Sequence, residues 1–188
     1  MTTIKRYRKF LGPTQFASCI GYDRYLSSDQ LRQEIEHGYM YTDTPCLQFG
    51  QNHECVALYY YSKMFKTEIV RPRFIVDPKN SRIGGIGDGL IGSDCGIEVK
   101  CHVGTRPLKT IPYKYLIQIA GYLYLYKRSK WILFSCTFNS DHTLGKYKIF
   151  EITWDMVKDR WERDWYPQIN NFLSKVTFAP QPSKSRIT

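Results

Sequence analysis

Between Ile69 and Cys101 the chain reads IVRPRFIVDP, RIGGIGDGLIG and GIEVKC, short β-favouring runs broken by glycine and proline. Glycine costs about 1 kcal/mol and proline about 3 in a helix interior, so this stretch cannot sustain a long helix and must build strands and turns. Three strands in meander order are predicted. Elsewhere the pattern is helical. Pro13 can open a helical turn, and Ser27 or Ser28 can cap a second helix. After a break at Gly50, a further helix carries Glu54, Leu58 and Tyr61 on defined faces. Residues 111–127, IPYKYLIQIAGYLYLYK, are long enough for a helix, and WILFSCTF and KYKIFEI then read as two strands joined by a polar turn. Trp154, Val157, Trp161, Trp165, Ile169 and Leu173 recur at three- and four-residue intervals, the stripe of a helix packed on a core. The predicted fold is α/β, of α+β type: a mixed sheet flanked by helices. Residues 1–10 read as a basic arm, 11–176 as a single domain and 177–188 as a flexible tail.

The 188 residues suffice for a full core without disulfide staples. Twenty-seven Lys and Arg against seventeen Asp and Glu leave a formal charge of +10. Between Val99 and Phe150 nine cations face the single acid Asp141, a concentration that suits a polyanionic partner such as nucleic acid. No apolar run reaches the roughly 18 residues of a membrane-spanning helix, and MTTIKRYRKF has no apolar block behind it. The expected setting is therefore intracellular, neither membrane-bound nor secreted. The six cysteines form no CxxC pair, so they read as reduced thiols, and a zinc site drawn from His53, Cys101 and His102 lacks the usual ligand spacing.

The most informative segment runs from Gly87 to Lys100. Read as a hairpin with its turn between Leu90 and Gly96, its second strand alternates: Ile97 and Val99 face the interior, and Glu98 and Lys100 share the other face. The antiparallel return brings Asp88 alongside Glu98. Two carboxylates and an ammonium around one spot suit a hard divalent ion, which prefers oxygen ligands and keeps several waters. The bland alternative is a surface Glu–Lys pair worth about 0.2–1 kcal/mol.

On these residues the chain resembles the lambda-exonuclease-like, YqaJ viral recombinase family of PD-(D/E)xK nucleases. Gly50-Gln51-Asn52-His53-Glu54 matches that family's Gly-x-x-x-Glu helix, Asp88-Gly89 its Asp-Gly element and Glu98-Val99-Lys100-Cys101 its Glu-x-Lys-Cys strand. Tyr115 and Gln118 match its later glutamine-bearing helix, and PTQFASCIGYDRYLSS loosely matches its first helix-turn. The chain departs from the pattern at Ile86-Gly87, where the family often has Ser-Pro, and at His102, where many members have proline.

The resemblance implies a restriction-endonuclease-like core. It also implies a metal-dependent deoxyribonuclease, a 5′–3′ exonuclease on duplex ends in recombination, of viral, phage or mobile-element origin, acting in the cytoplasm or nucleus of a host cell if viral. By the same resemblance Asp88 and Glu98 coordinate Mg²⁺, with Mn²⁺ able to substitute and two ions per site. The Val99 carbonyl assists, and Glu54 contributes directly or through water. Lys100 handles the nucleophilic water, and Gln118 positions it or the phosphate. Arg24 and Ser28 in the N-terminal stretch, with His102, Lys109 and Lys114, are the candidate DNA contacts, and Tyr22, Tyr25 and Tyr39 to Tyr41 could stack on bases. A single-strand-annealing recombinase and a homo-oligomer are the implied partners. A structure-specific or RNA-degrading endonuclease, and a non-hydrolytic DNA-binding module, are the alternatives.

Overall fold

The computed structural model describes residues 3–42, 44–104 and 106–180. The chain opens with β1 (Thr3–Arg6), α1 (Pro13–Cys19), α2 (Ser28–His37) and β2 (Tyr39–Thr42). There follow α3 (Pro45–Phe65), the hairpin β3 (Ile75–Asp77) and β4 (Asn80–Gly85), and the hairpin β5 (Gly89–Ile91) and β6 (Cys95–His102). Helix α4 (Tyr113–Tyr126) crosses to β7 (Lys130–Phe138) and β8 (Leu144–Thr153). The last helical run is α5 (Trp154–Arg160), a π-helical turn over Trp161–Trp165, and α6 (Tyr166–Ser174).

The central sheet has the order β5-β6-β7-β8. β6 and β7 run parallel, with Glu98 opposite Leu133 and Lys100 opposite Ser135, and the two outer pairs are antiparallel. A parallel pair needs a crossover of a dozen or more residues, and α4 provides it. Both faces of the sheet are covered, as expected for parallel strands. One face, with Trp131 and Leu133, joins Phe16 of α1, Ile117 and Ala120 of α4, and Trp161, Trp165 and Ile169 of the C-terminal helices in the larger core. The other face, with Ile97, Val99, Ile132 and Phe134, packs on Ala57 and Tyr61 of α3. The tryptophan stripe is thus a core face. Two-sided burial also explains why β7 reads as the uninterrupted run WILFSCT.

The region from Ile69 to Cys101 departs from the expected meander. It forms four strands in two hairpins, and these belong to different sheets. Gly87 makes the passage between them: a Cβ there would lie 2.8 Å from the Trp131 ring, so only glycine lets the chain cross that indole. A second correction concerns Gly50, which does not break its helix. Thr44 caps α3 by accepting from Leu47 N–H, Pro45 occupies the first turn, and the helix runs on through Gly50; twenty-one residues absorb a local penalty of about 1 kcal/mol. The first third is also less helical than expected, since β1 pairs with β2 in a two-stranded ribbon. Of the C-terminal segment, Ala179 is buried and its N–H donates to the Ile35 carbonyl; residues 181–188 lie outside the described residues.

Helices α1 and α4 meet at Gly121, where a Cβ would fall 2.5 Å from the Phe16 ring and 3.2 Å from Pro13. Gly121→Ala should therefore destabilise the protein by about 1–3 kcal/mol through overpacking, although alanine is the better helix former. Urea unfolding checks this as a lowered midpoint with an unchanged slope.

Candidate active site

The β5–β6 register, with Gly89 opposite Ile97, brings Asp88 beside Glu98 just beyond the end of β5. The Val99 N–H, left without a strand partner there, donates to Asp88 Oδ2 at 2.7 Å. A strand residue presents its N–H and C=O to the same side, so the Val99 carbonyl faces that edge too. The two faces of β6 carry different loads. Ile97 and Val99 point into the α3-side core, and Glu98 lies 3% exposed beneath α4.

Glu98 Oε1 is saturated. It accepts from Lys100 Nζ at 2.5 Å and from Gln118 Nε2 at 2.6 Å. Glu98 Oε2 is buried and has no hydrogen-bond partner among the described residues. Glu54 reaches the same region from α3. Burial, followed by the charge of Glu98, pushes its carboxyl up, while Lys100 and Arg71 pull it down. Asp88 is pushed well above the ordinary carboxylate range by burial, then by Glu98 and Glu54, against the counter-pull of Lys100 and the Val99 N–H. For Lys100, burial alone would favour the neutral amine. Glu98 and Asp88 outweigh it and hold the ammonium.

Glu54, Asp88 and Glu98 gathered around one spot, with one buried carboxylate oxygen that has no partner among the described residues, fit a hard cation. All the donors are oxygen. Among the described residues, no three His, Cys, Asp or Glu side chains come close enough together to hold a metal ion by themselves. An all-oxygen donor set is the kind that hard divalent cations prefer. Nearby, Cys101 and Cys136 face each other across β6 and β7 with their sulfurs 3.9 Å apart.

Two clefts flank this cluster. One, of about 550 Å³, is lined by Glu54, Asp88, Leu58, Tyr59, Arg71 and Ile86. Arg71 went unnoticed in the sequence because it enters the site only through the isolated Val70–Leu90 bridge, a contact with no local signature. The other cleft, of about 440 Å³, is lined by Tyr22, Arg24, Tyr25, Lys114 and Tyr115 among others.

The candidate DNA contacts divide. Arg24 and Lys114 lie in the second cleft, and Lys109 is an exposed residue whose carbonyl accepts from Lys148 Nζ. His102 is committed inward: its Nε2 bonds Ser135 Oγ at 2.9 Å, and burial, reinforced by Lys100, holds the imidazole neutral. Ser28 is the first residue of α2, and its hydroxyl donates to the Cys19 carbonyl at the end of α1. Ser27 is the cap. Tyr39 and Tyr41 lie under the Arg8 and Arg6 guanidiniums.

At neutral pH the crowded carboxylates cost stability, because a carboxyl whose folded pKa is raised favours the folded state only when protonated. Asp88→Asn, which can still accept from Val99, should raise Tm in metal-free buffer, by about 2–4 °C for each kcal/mol recovered. The gain should shrink as pH falls through the raised pKa of Asp88 and vanish below about pH 3, where the unfolded carboxyl is protonated as well. Thermal melts of both proteins across pH check the direction.

The profile of the YqaJ-like viral recombinase domain matches residues 4–128. Among solved structures, an alkaline exonuclease from Laribacter hongkongensis superposes with a TM-score of 0.68 at 17% identity, covering 89% of this chain and 88% of that one. The same exonuclease in complex with dAMP gives 0.69 at 17% identity, over 89% and 87% of the two chains. A phage-related exonuclease from Haemophilus somnus 129PT gives 0.64 at 16%, over 89% and 92%. These likenesses establish a shared fold, with a restriction-endonuclease-like core. A search of curated protein sequences found no match.

Proposed function

This chain belongs to the YqaJ-like viral recombinase domain family, and on that premise we propose that it is a divalent-metal-dependent exodeoxyribonuclease that degrades a DNA strand from a duplex end during recombination. One observation carries the reading. Glu98 is buried with one oxygen saturated by Lys100 and Gln118 and the other without a partner, beside Asp88. A structural role alone does not account for a buried carboxylate oxygen that no protein group pairs, since leaving such a group unsatisfied costs about 1–3 kcal/mol or more. The exonuclease fold of the structural neighbours, one of them in complex with dAMP, supports the same reading.

Asp88, Glu98 and the Val99 carbonyl would hold Mg²⁺ or Mn²⁺, and Glu54 would hold water on it or share a second ion. When bound, the metal supplies a Lewis acid for the phosphate and an acidified water. The residues supply the order. Gln118 and Lys100 lock the Glu98 rotamer by occupying one oxygen, leaving the other aimed into the site. Lys100, held as an ammonium, orients the attacking water and offsets negative charge building on the phosphate oxygens. Arg71, in the cleft beyond Asp88, is a cation for a flanking phosphate. The product strand left unpaired is the substrate of a strand-annealing recombinase, the partner class this activity implies.

End-labelled linear duplex and closed circular duplex, each with Mg²⁺ or with chelator, test the reading. Linear DNA should shorten to mononucleotides while circles persist, and chelator should stop the reaction. Cutting of circles would make the protein an endonuclease; binding without products would make it a non-hydrolytic module. Asp88→Asn should lose about 10²–10³-fold or more in kcat, the scale of one preorganised electrostatic partner, with DNA affinity nearly intact. Lys100→Ala should lower kcat far more than it raises KM, because one phosphate contact among many contributes little to binding; single-turnover rates at saturating DNA separate the two effects.

A further inference from the structure

A cavity of about 360 Å³ lies between the end of α1, α2 and α6, and no residue of the metal cluster lines it. Arg32 enters it from α2, and Gln168, Asn171 and Lys175 enter it from α6 and its C-cap. On α6 those three residues stand at i, i+3 and i+7, which is one face of a helix. Ile169, Phe172 and Leu173, between them in sequence, are buried in the larger core. The helix thus presents a polar stripe to the same space as a guanidinium. Two charged side chains line this space, both are cations, and no acid lies on its wall.

Arg32 is the unusual member. It is half-buried, and its Nε is shielded from solvent without a hydrogen-bond partner among the described residues. The ion pairs of the described residues join Arg8, Lys100, Lys114, Lys130 and Arg163 to acids, and none includes Arg32 or Lys175. Acids are nonetheless near in sequence. Asp29 stands three residues before Arg32 and Glu36 four after it on α2, spacings that bring opposite charges together on a helix. Neither pairs with it, and Glu36 instead accepts from the Thr177 N–H. A buried donor left unmatched costs free energy, and more when it carries charge. A water would satisfy the N–H and leave both positive charges uncompensated, whereas an anion answers both. The guanidinium fork matches the oxygens of a phosphate with two parallel N–H···O bonds, and a lysine adds a point charge.

We infer that this cavity is a phosphate-binding site separate from the metal cluster, in which Arg32 grips the phosphate group, Lys175 adds a second positive charge, and the Gln168 and Asn171 amides donate to the remaining oxygens. The group it takes is the phosphate of a free monoester or of a nucleic-acid backbone, which share this chemistry. None of these residues takes part in the proposed hydrolysis, so the site stands or falls apart from that reading.

The test uses the full chain in chelator, where hydrolysis is off, and follows the Arg32 Nε–H resonance by NMR, assigned by its loss in Arg32→Gln. Inorganic phosphate, dAMP and a short DNA duplex are titrated in turn, with sodium chloride at matched ionic strength as the control. Inorganic phosphate and dAMP should shift the resonance saturably, and sodium chloride should not. By calorimetry, Arg32→Gln should weaken phosphate about 10- to 150-fold, the worth of a charged hydrogen bond. Lys175→Met, at an exposed residue outside the core, should weaken it about 2- to 5-fold, the worth of an exposed charge, and it carries the test if Arg32→Gln fails to fold. Phosphate should also raise the Tm of the wild type and leave that of Arg32→Gln unmoved, whereas an arginine with a purely structural role would lower Tm equally with and without phosphate. A duplex that shifts the same resonance, and whose salt slope falls by about 0.9 in Arg32→Gln, identifies the backbone as the source. A duplex that leaves it unmoved, while phosphate and dAMP shift it, identifies a free monoester. A resonance that none of the three moves, one that sodium chloride moves as far, or phosphate affinity indifferent to both substitutions would overturn the site, whether or not the wild-type chain digests DNA with Mg²⁺.

Discussion

A carboxylate buried on the crossover-helix face of a sheet is the constraint around which this protein is arranged. Taking one such charge out of water costs several kcal/mol even after relaxation, and Glu98 recovers that only by the Lys100 ammonium and the Gln118 amide converging on a single oxygen. Those two partners come from different places in the chain. Lys100 is two residues along the same strand, whereas Gln118 arrives on α4. The site therefore depends on the packing of the crossover helix, and through Gly121 on the closeness of α1 to that helix. Loss of that packing would leave Glu98 with one partner and a free rotamer.

The same arrangement explains the asymmetry of the surroundings. On the Asp88 side, acids crowd together and Arg71 is the nearby counter-charge; on the Lys100 side, cations and tyrosines alternate. The two flanks of the cluster thus present opposite electrostatic environments, acidic beside Asp88 and cationic beside Lys100. His102 and Ser28, although polar and close in sequence to site or helix-turn residues, are used to brace the scaffold: one ties β6 to β7 through Ser135, the other ties α2 to the end of α1.

Legibility in the sequence followed the range of the interaction. The hairpin from Gly87 to Lys100 was readable because alternation and four glycines define it within fourteen residues, and the pairing of Gly89 with Ile97 follows. The tryptophan stripe and the α4 helix were readable for the same reason, since each repeats a local period. The division of residues 69–101 between two sheets was not, because the chain changes sheets at Gly87 only on account of Trp131, forty-four residues away. Gly50 misled because propensity is a local quantity, and a cap at Thr44 with packing along the rest of α3 overrode it. Arg71 was invisible because nothing near it in sequence marks its neighbours.

By itself, the sequence determined the chemical kinds brought into play: an acid before the hairpin, an acid and an amine on one face of its second strand, a glutamine on the following helix, and a surplus of positive charge beyond them. These follow from two-residue and three-to-four-residue periods, which side chains obey wherever the chain lies. Only the tertiary structure decided which oxygen of Glu98 is occupied and which is left bare, that Arg71 joins the acids, and that Tyr115 and Tyr25 link Lys100 to Arg24. Each of those depends on contacts between distant elements, where burial and a few ångströms of approach set the energy and no local pattern records it.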